Sequence, residues 1–246
     1  MLPLTQERLN AREAATHPPF LTVRWHHALF EHYKIVNERA FASYIPLGFE
    51  LDRHRETAYI SVVSFRMMAM KLWGAIPLPF LHDYPQINVR VYIHRDGKPG
   101  VLFLRNYVSN QLATWGGRTL YAMPYKHQTI KLTENENAIG YQANLSTALQ
   151  HTIEGVPLEP ISGYQNDPSS LPFFLIERYP LYSTRGIRLC ESKMVHYPWK
   201  LYSLSVTRRS HAIIRDLLLE DIVTPTQEVH FSPGVSVKMW APTILY

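Results

Sequence analysis

The segment HRDGKPG (94–100), set between INVRVYI (87–93) and VLFLRNYV (101–108), constrains this chain more than any other. Asp96-Gly97 is one of the few residue pairs that accept positive φ at both centres of a two-residue turn, and such turns carry the twist of a β-hairpin. The flanking runs are rich in β-branched and aromatic residues, so two antiparallel strands are expected. Comparable strand signals recur along the chain. Residues 57–66 (TAYISVVSFR) read as a strand. Residues 127–133 and 138–145 read as a pair around Glu134–Asn137, 184–190 and 193–197 as a pair around Glu191-Ser192, and 234–240 as a last strand. Short strands at regular spacing predict a sheet-rich sandwich or barrel.

Helical signals are fewer. Asn37 is placed to cap a short helix through Tyr44, which stops before Pro46. Ser109 or Asn110 is placed to cap a helix through Leu120. Gly116-Gly117 would cost that helix up to ~1 kcal/mol each relative to Ala, unless the glycines serve close packing against the sheet. Residues 207–220 predict a third helix, and 5–15 a short one ended by Pro18-Pro19. The segments 76–85 and 154–172 read as loops, the second long enough to serve as a lid or contact surface. Nothing marks a domain boundary, so a single domain over 1–246 is expected, with 1–19 as an N-terminal extension.

Composition removes several function classes. With 46% hydrophobic and 18% charged residues, the chain suits an ordinary globular protein with a sizeable core. No apolar run approaches the ~18 residues that span a bilayer, and the N-terminus lacks an apolar signal core. The expectation is a soluble cytoplasmic protein with no membrane partner. Net charge is +5, but the basic residues are scattered apart from Arg208-Arg209. No nucleic-acid-binding signature accompanies them, so no nucleic-acid partner is expected. Cys190 is the single cysteine, which excludes an intramolecular disulfide. The twelve histidines are dispersed, without HExxH or paired Cys-His spacing. No metal and no other cofactor is expected; GxSxG, GxGxxG and Walker A patterns are absent too.

Residues 107–126, YVSNQLATWGGRTLYAMPYK, resemble the active-site segment of acetoacetate decarboxylases. Asn110, Ala113, Gly117, Arg118, Leu120, Pro124 and Lys126 match its spacing without a gap. A second resemblance covers more of the chain. RWHHALFEHY (24–33), IPLGFELD (45–52), YPQINVRVYI (84–93), IERYPLY (176–182), HYPW (196–199) and HFSPGVSV (230–237) occur in the order found in YqjF-like proteins. That family is a domain of unknown function within the acetoacetate-decarboxylase-like superfamily. The resemblance implies a β-rich α+β fold, a closed β-barrel or cone with a few flanking helices and a pocket inside.

The resemblance also implies where a site would lie, and it departs from the decarboxylases there. Their Schiff-base lysine falls on Tyr125, which forms no imine. Lys126 follows, but one step along an extended strand turns a side chain to the other face. Gln86 of Tyr84-Pro85-Gln86 stands where the decarboxylases place a carboxylate. Arg24 is the counterpart of their carboxylate-binding arginine. Along β structure, Arg24 and His26 would share one face, and Trp25 and His27 the other. The candidate ligand-binding residues are therefore Arg24, Gln86, Asn88, Arg118 and Tyr125. The candidate catalytic groups are Tyr125, Lys126 and His196, the last as a proton carrier. Each also has a plain structural role open to it: Arg118 as a brace for the following turn, His196 as a satisfied core residue. Three functions follow. One is a pocket that binds or transforms a small oxygenated organic molecule, a keto or carboxylic acid, without a Schiff-base lysine at the family position. Another is a lysine-dependent decarboxylase or aldol-type enzyme using Lys126. The third is a non-catalytic structural or partner-binding protein. A homo-oligomer is compatible with all three.

Overall fold

The computed structural model describes residues 18–245. The helix expected over 5–15 lies outside the described residues. The strands are β1 (Leu21–Ile35), β2 (Glu50–Leu51), β3 (Arg53–His54), β4 (Thr57–Leu72), β5 (Ile76–Pro77), β6 (Asp83–Arg95), β7 (Lys98–Val108) and β8 (Tyr125–His127). They continue with β9 (Ile130–Glu134), β10 (Ile139–Asn144), β11 (Gln150–Pro160), β12 (Pro180–Arg185), β13 (Arg188–His196), β14 (Tyr202–Arg209), β15 (Val223–Met239) and β16 (Thr243–Ile244). The α-helices are short: α1 (Glu38–Phe41), α2 (Gln111–Leu120), α3 (Leu171–Ile176) and α4 (Ala212–Asp216).

The main strands form one sheet in the order β16-β13-β12-β7-β6-β4-β1-β15-β14-β11-β10-β9. β13 also pairs with β15, Met194 opposite Met239 and His196 opposite Val237. The hydrogen-bonded path β13-β12-β7-β6-β4-β1-β15 therefore returns to its start, and β14, β11, β10 and β9 extend from it. Strand alternation sorts the side chains onto two faces. On β6, Tyr84 and Tyr92 join a core with Trp25, Phe65, Phe173 and Trp199, which we call the inner face. Ile87, Val89, Val91 and Ile93 join another with Leu29, Tyr33, Tyr141 and Ile153, the outer face. Gln86, Asn88 and Arg90 fall between Tyr84 and Tyr92 in the alternation and thus face inward.

Several expected boundaries move, each for a local reason. The β12–β13 hairpin turns at Gly186-Ile187, where Gly186 takes φ 61. It does not turn at Glu191-Ser192, because Ser192 is paired opposite Leu181 within the ladder. The last long strand starts at Val223, well before 234; Gly234 lies mid-strand, where an added Cβ would overlap the Trp25 carbonyl oxygen. The helix expected over 207–220 shrinks to 212–216, because β14 runs on to Arg209, whose Nε donates to buried Glu31 at 2.8 Å. The long loop expected over 154–172 is largely structured: β11 reaches Pro160 and α3 starts at Leu171, capped by Ser170. Segment 76–85 holds β5, a 3-10 turn over Pro79–Leu81 and the start of β6.

α3 lies on the inner face, with Phe173, Phe174, Leu175 and Ile176 all buried. A chain of hydrogen bonds ties it to four adjacent strands. His230 Nδ1 lies 3.0 Å from His32 Nε2, and His32 Nδ1 lies 2.6 Å from Ser61 Oγ. Ser61 Oγ lies 2.5 Å from Tyr92 Oη, and the Tyr92 hydroxyl donates to Leu175 O at 2.6 Å. A carbonyl only accepts, so the last link fixes the direction of all the others. Tyr92 gives its proton to Leu175, Ser61 donates to Tyr92, His32 Nδ1–H to Ser61, and His230 Nδ1–H to His32. Both imidazoles are neutral in this arrangement. Burial, followed for His32 by the nearby His230, holds both below the ordinary imidazole pKa, His230 at about 4.

Two tests follow. Because both histidines are depressed, the unfolded chain takes up protons below about pH 6.5 that the folded chain refuses. Their contribution to stability is present above that pH and lost as pH falls toward 4. The urea midpoint should therefore drop between pH 7 and pH 4.5, and His230→Asn should flatten the slope by roughly 1–3 kcal/mol over that range. An equal slope in both proteins would place the titration elsewhere. The second test concerns α2. A Cβ added at Gly117 would overlap the Tyr125 ring, whereas one added at Gly116 meets nothing within 4 Å. Gly116→Ala should stabilise by about 0.5–1 kcal/mol through helix propensity. Gly117→Ala should destabilise by roughly 1–3 kcal/mol through overpacking. Urea titration of the two variants separates these outcomes.

Candidate functional site

After α2 the chain reverses through Ala122, at φ 48, and β8 joins β7 in parallel. Tyr125 pairs with Asn106, and Lys126 with Tyr107. Tyr107 belongs to the outer core, so Asn106 and Tyr125 turn inward. Arg118 Nε donates to the Tyr125 carbonyl at 2.7 Å. Gly117 offers the ring the space that a side chain would take.

Tyr125 lines a cavity of about 170 Å³ together with Tyr84, Tyr121, Met67, Met70, Met123 and Met239; leucines, Phe20 and the small residues of α2 complete the wall. No Lys, Arg, His, Asp or Glu is among its lining residues. Burial is the main force raising the Tyr125 phenol to about 12, and a side-chain hydrogen bond from Gln86 opposes it. Burial and, second, proximity to Tyr125 push Tyr84 and Tyr121 up as well. All three phenols therefore stay protonated at neutral pH and remain hydrogen-bond donors.

Behind Tyr125 lies a group of buried amides. Gln86 Nε2 donates to Asn106 Oδ1 at 3.4 Å. Tyr125 keeps its proton at neutral pH and can donate it. Gln86 Oε1, Asn88 Oδ1 and Asn106 Nδ2 are buried without a hydrogen-bond partner among the described residues.

The structure brings together only part of the expected set. Tyr125, Gln86 and Asn88 share the inner face, with Asn88 and Tyr125 each paired to Asn106. Arg118 braces the backbone and does not line the cavity. Lys126 leaves toward the outer face, its Nζ 3.6 Å from Asp216 Oδ1 and 5.7 Å from the centre of the Tyr107 ring. Arg24 is exposed between buried Val23 and Trp25. His196 stacks on Tyr179 at 4.8 Å, with Nδ1 2.8 Å from Tyr197 O. It borders a separate pocket with Ser236 and Lys238, and burial lowers its pKa. The alternation expected for His26 and His27 fails. His27 takes φ 49 within a bulge, and the two rings lie 3.8 Å apart on one side of the strand.

Tyr84, Tyr121, the four methionines and Asn106 were not singled out from sequence. Tyr84 was accessible, since it lies two residues from Gln86 on one strand and shares its face. Asn106 was not. The register set by Asp96-Gly97 would put Asn88 opposite Arg105, but a bulge at Leu104 shifts the pairing beyond Arg90–Phe103. Among the described residues no group of three or more His, Cys, Asp or Glu is placed to hold a metal ion. No helix there is long and apolar enough to cross a membrane.

Comparison with solved structures gives the fold independently. Acetoacetate decarboxylase from Legionella pneumophila matches with a TM-score of 0.66 at 13% identity, over 91% of this chain and 87% of that one. An acetoacetate decarboxylase-like enzyme from Sphingomonas wittichii RW1 matches with a TM-score of 0.64 at 12% identity, over 92% of each chain. At such identities the likeness concerns the fold. In sequence, the uncharacterised protein YqjF of Bacillus subtilis (strain 168) is 29% identical over 178 residues, 72% of this chain and 73% of that protein. Residues 22–236 match the model of DUF2071, described as an uncharacterised conserved protein. A strand-rich chain with the decarboxylase-like fold, a tyrosine-lined cavity and a match over most of its length belongs to the DUF2071 family.

Proposed function

We propose that this protein binds a small, neutral, partly apolar carbonyl compound in the Tyr125 cavity and orients it by hydrogen bonding, without imine chemistry. The observation that carries this is a protonated Tyr125 phenol on the wall of a cavity that has no charged lining. In this reading the returning strand path is a closed β-barrel, the chain is one domain, and the protein works in the cytoplasm.

Size and charge narrow the ligand. A cavity of about 170 Å³ is close to the ~150 Å³ that holds a benzene ring. Burying an ionised carboxylate without a cation costs several kcal/mol or forces its neutralisation. Arg24 lies outside, and Arg118 is spent on the Tyr125 carbonyl. Ketones, esters and aldehydes therefore suit the site better than the keto acids and carboxylic acids that the family resemblance suggests. The phenol donates to the carbonyl oxygen, and the methionines follow the shape of the apolar part.

Against a lysine-dependent enzyme stands the direction of Lys126, toward Asp216 and away from the lining residues. Incubation with acetoacetate and borohydride should add no mass; a stable adduct on Lys126 would restore the lysine mechanism. A melting-shift screen of small ketones and esters against the matching carboxylates tests the binding itself. Neutral compounds should raise the melting temperature with occupancy, and the carboxylates should not. Tyr125→Phe should weaken the effective ligands by roughly 0.5–1.5 kcal/mol, the worth of one neutral hydrogen bond. Equal binding in the variant would remove Tyr125 from the site. No shift with any compound would leave the structural or partner-binding role.

A further inference from the structure

The rim of the cavity is apolar and open. Trp73, Ile76, Phe80, Leu112, Trp115 and Leu120 are each at least half exposed. Leu112 and Leu120 line the cavity themselves, while Trp73 follows lining residue Leu72, Phe80 precedes Leu81, and Trp115 precedes Gly116. Asn110 Nδ2 donates to Phe80 O at 2.8 Å and ties the 3-10 turn to α2. Leu112 and Trp115, three apart on α2, share one face of the helix. Large apolar side chains grouped in this way mark an interaction surface.

The charges around the patch have one sign. Segments 70–82, 109–127 and 184–190 contain no Asp or Glu. They supply Lys71, Arg118, Lys126, Arg185 and Arg188, of which Lys126 is paired with Asp216. Arg185 and Arg188 donate to Arg118 O and Thr119 O, each at 3.4 Å, which sets both guanidinium groups at the end of α2 beside Leu120. The other four cations have no ion pair among the described residues. Asp83, which follows the first segment, is held by Arg66 through bonds of 2.6 and 2.5 Å.

A second copy seated on this face by two-fold symmetry would bring each cation toward its own counterparts, with no acid from these segments to relieve the repulsion. An anionic lipid surface meets both features. Trp and Phe favour the headgroup level, and lysine and arginine are drawn to anionic headgroups. We propose that the mouth of the Tyr125 cavity docks on the surface of an anionic bilayer, so that an apolar molecule can pass between lipid and cavity without crossing water. The expectation of no membrane partner rested on the lack of a spanning run. This face is instead assembled from three segments far apart in sequence.

The test is sedimentation of the full chain with phosphatidylcholine vesicles, with and without phosphatidylglycerol. Binding should require phosphatidylglycerol, weaken as salt rises, and shift tryptophan emission to the blue. Lys71→Glu with Arg185→Glu should weaken it by roughly fivefold or more for each cation removed. Phe80→Ser with Trp115→Ser should abolish it while leaving the melting temperature in place, since both side chains are exposed. Failure to bind either vesicle, or binding indifferent to these substitutions, overturns the proposal. So does a dimer in light scattering that the same substitutions dissociate, which would assign the face to a second copy. Ligand melting shifts are read without vesicles, so loss of this proposal is distinct from loss of the ligand reading.

Discussion

The hydrogen-bonded chain from His230 to the Leu175 carbonyl is the constraint on which the inner face depends. It crosses β15, β1, β4 and β6, which are neighbours in the sheet, and ends on a helix that would otherwise bury unsatisfied carbonyls. The cations nearby work to the same end. Arg178 Nε donates to Phe174 O at 2.8 Å, and Arg90 donates to Leu175 O at 3.2 Å. Their positive charge suits a helix C-terminus. Four of the six α3 residues can be apolar and buried because these groups satisfy its last turn.

The segments that marked the family resemblance build this support more than they build the cavity. Glu177 of IERYPLY accepts from the Tyr179 hydroxyl at 3.0 Å and from the Trp199 amide at 3.2 Å. Trp199 of HYPW packs against Trp25 and Phe30. His196 is held between Tyr179 and Trp199. A buried carboxylate with this many donors locks two remote loops together. The histidine singled out as a proton carrier is thus positioned by aromatic packing, away from the cavity that Tyr125 lines.

How far the sequence could be read depended on whether a local rule held along the whole strand. Asp96-Gly97 announced a hairpin, and both residues take positive φ there, 51 and 75. Asn37 and Asn110 announced helix starts, and each side chain accepts a backbone N–H of the first turn. Alternation also served where no residue was inserted, as on β6, where Gln86 and Asn88 share a face. It failed at the bulges. One extra residue at Leu104 carried Asn106 inward, and His27 at positive φ brought both neighbouring imidazoles to the same side. A bulge is chosen by tertiary pairing across the sheet, and the residues at Leu104 and His27 have none of the glycine signal that would announce it. Long-range constraint also explains the shortened third helix: Arg208-Arg209 look helical locally, but Arg209 is drawn into the ladder by buried Glu31.

The site's chemistry follows from where charge is allowed to stand. The cavity wall is methionine, leucine and tyrosine, and the polar groups behind it are amides, which carry dipoles but no net charge. Lys126 is on the other face with Asp216, and Arg118 is committed to a backbone carbonyl. A phenol is protonated at neutral pH in any case, and burial here raises its pKa further. It is therefore available as a hydrogen-bond donor. A donor of that kind discriminates by leaving a buried hydroxyl unpaired when the ligand lacks an acceptor, a penalty larger than the bond's own net worth. In the proposed reading, selectivity at this site arises from unsatisfied hydrogen bonds rather than from ion pairing.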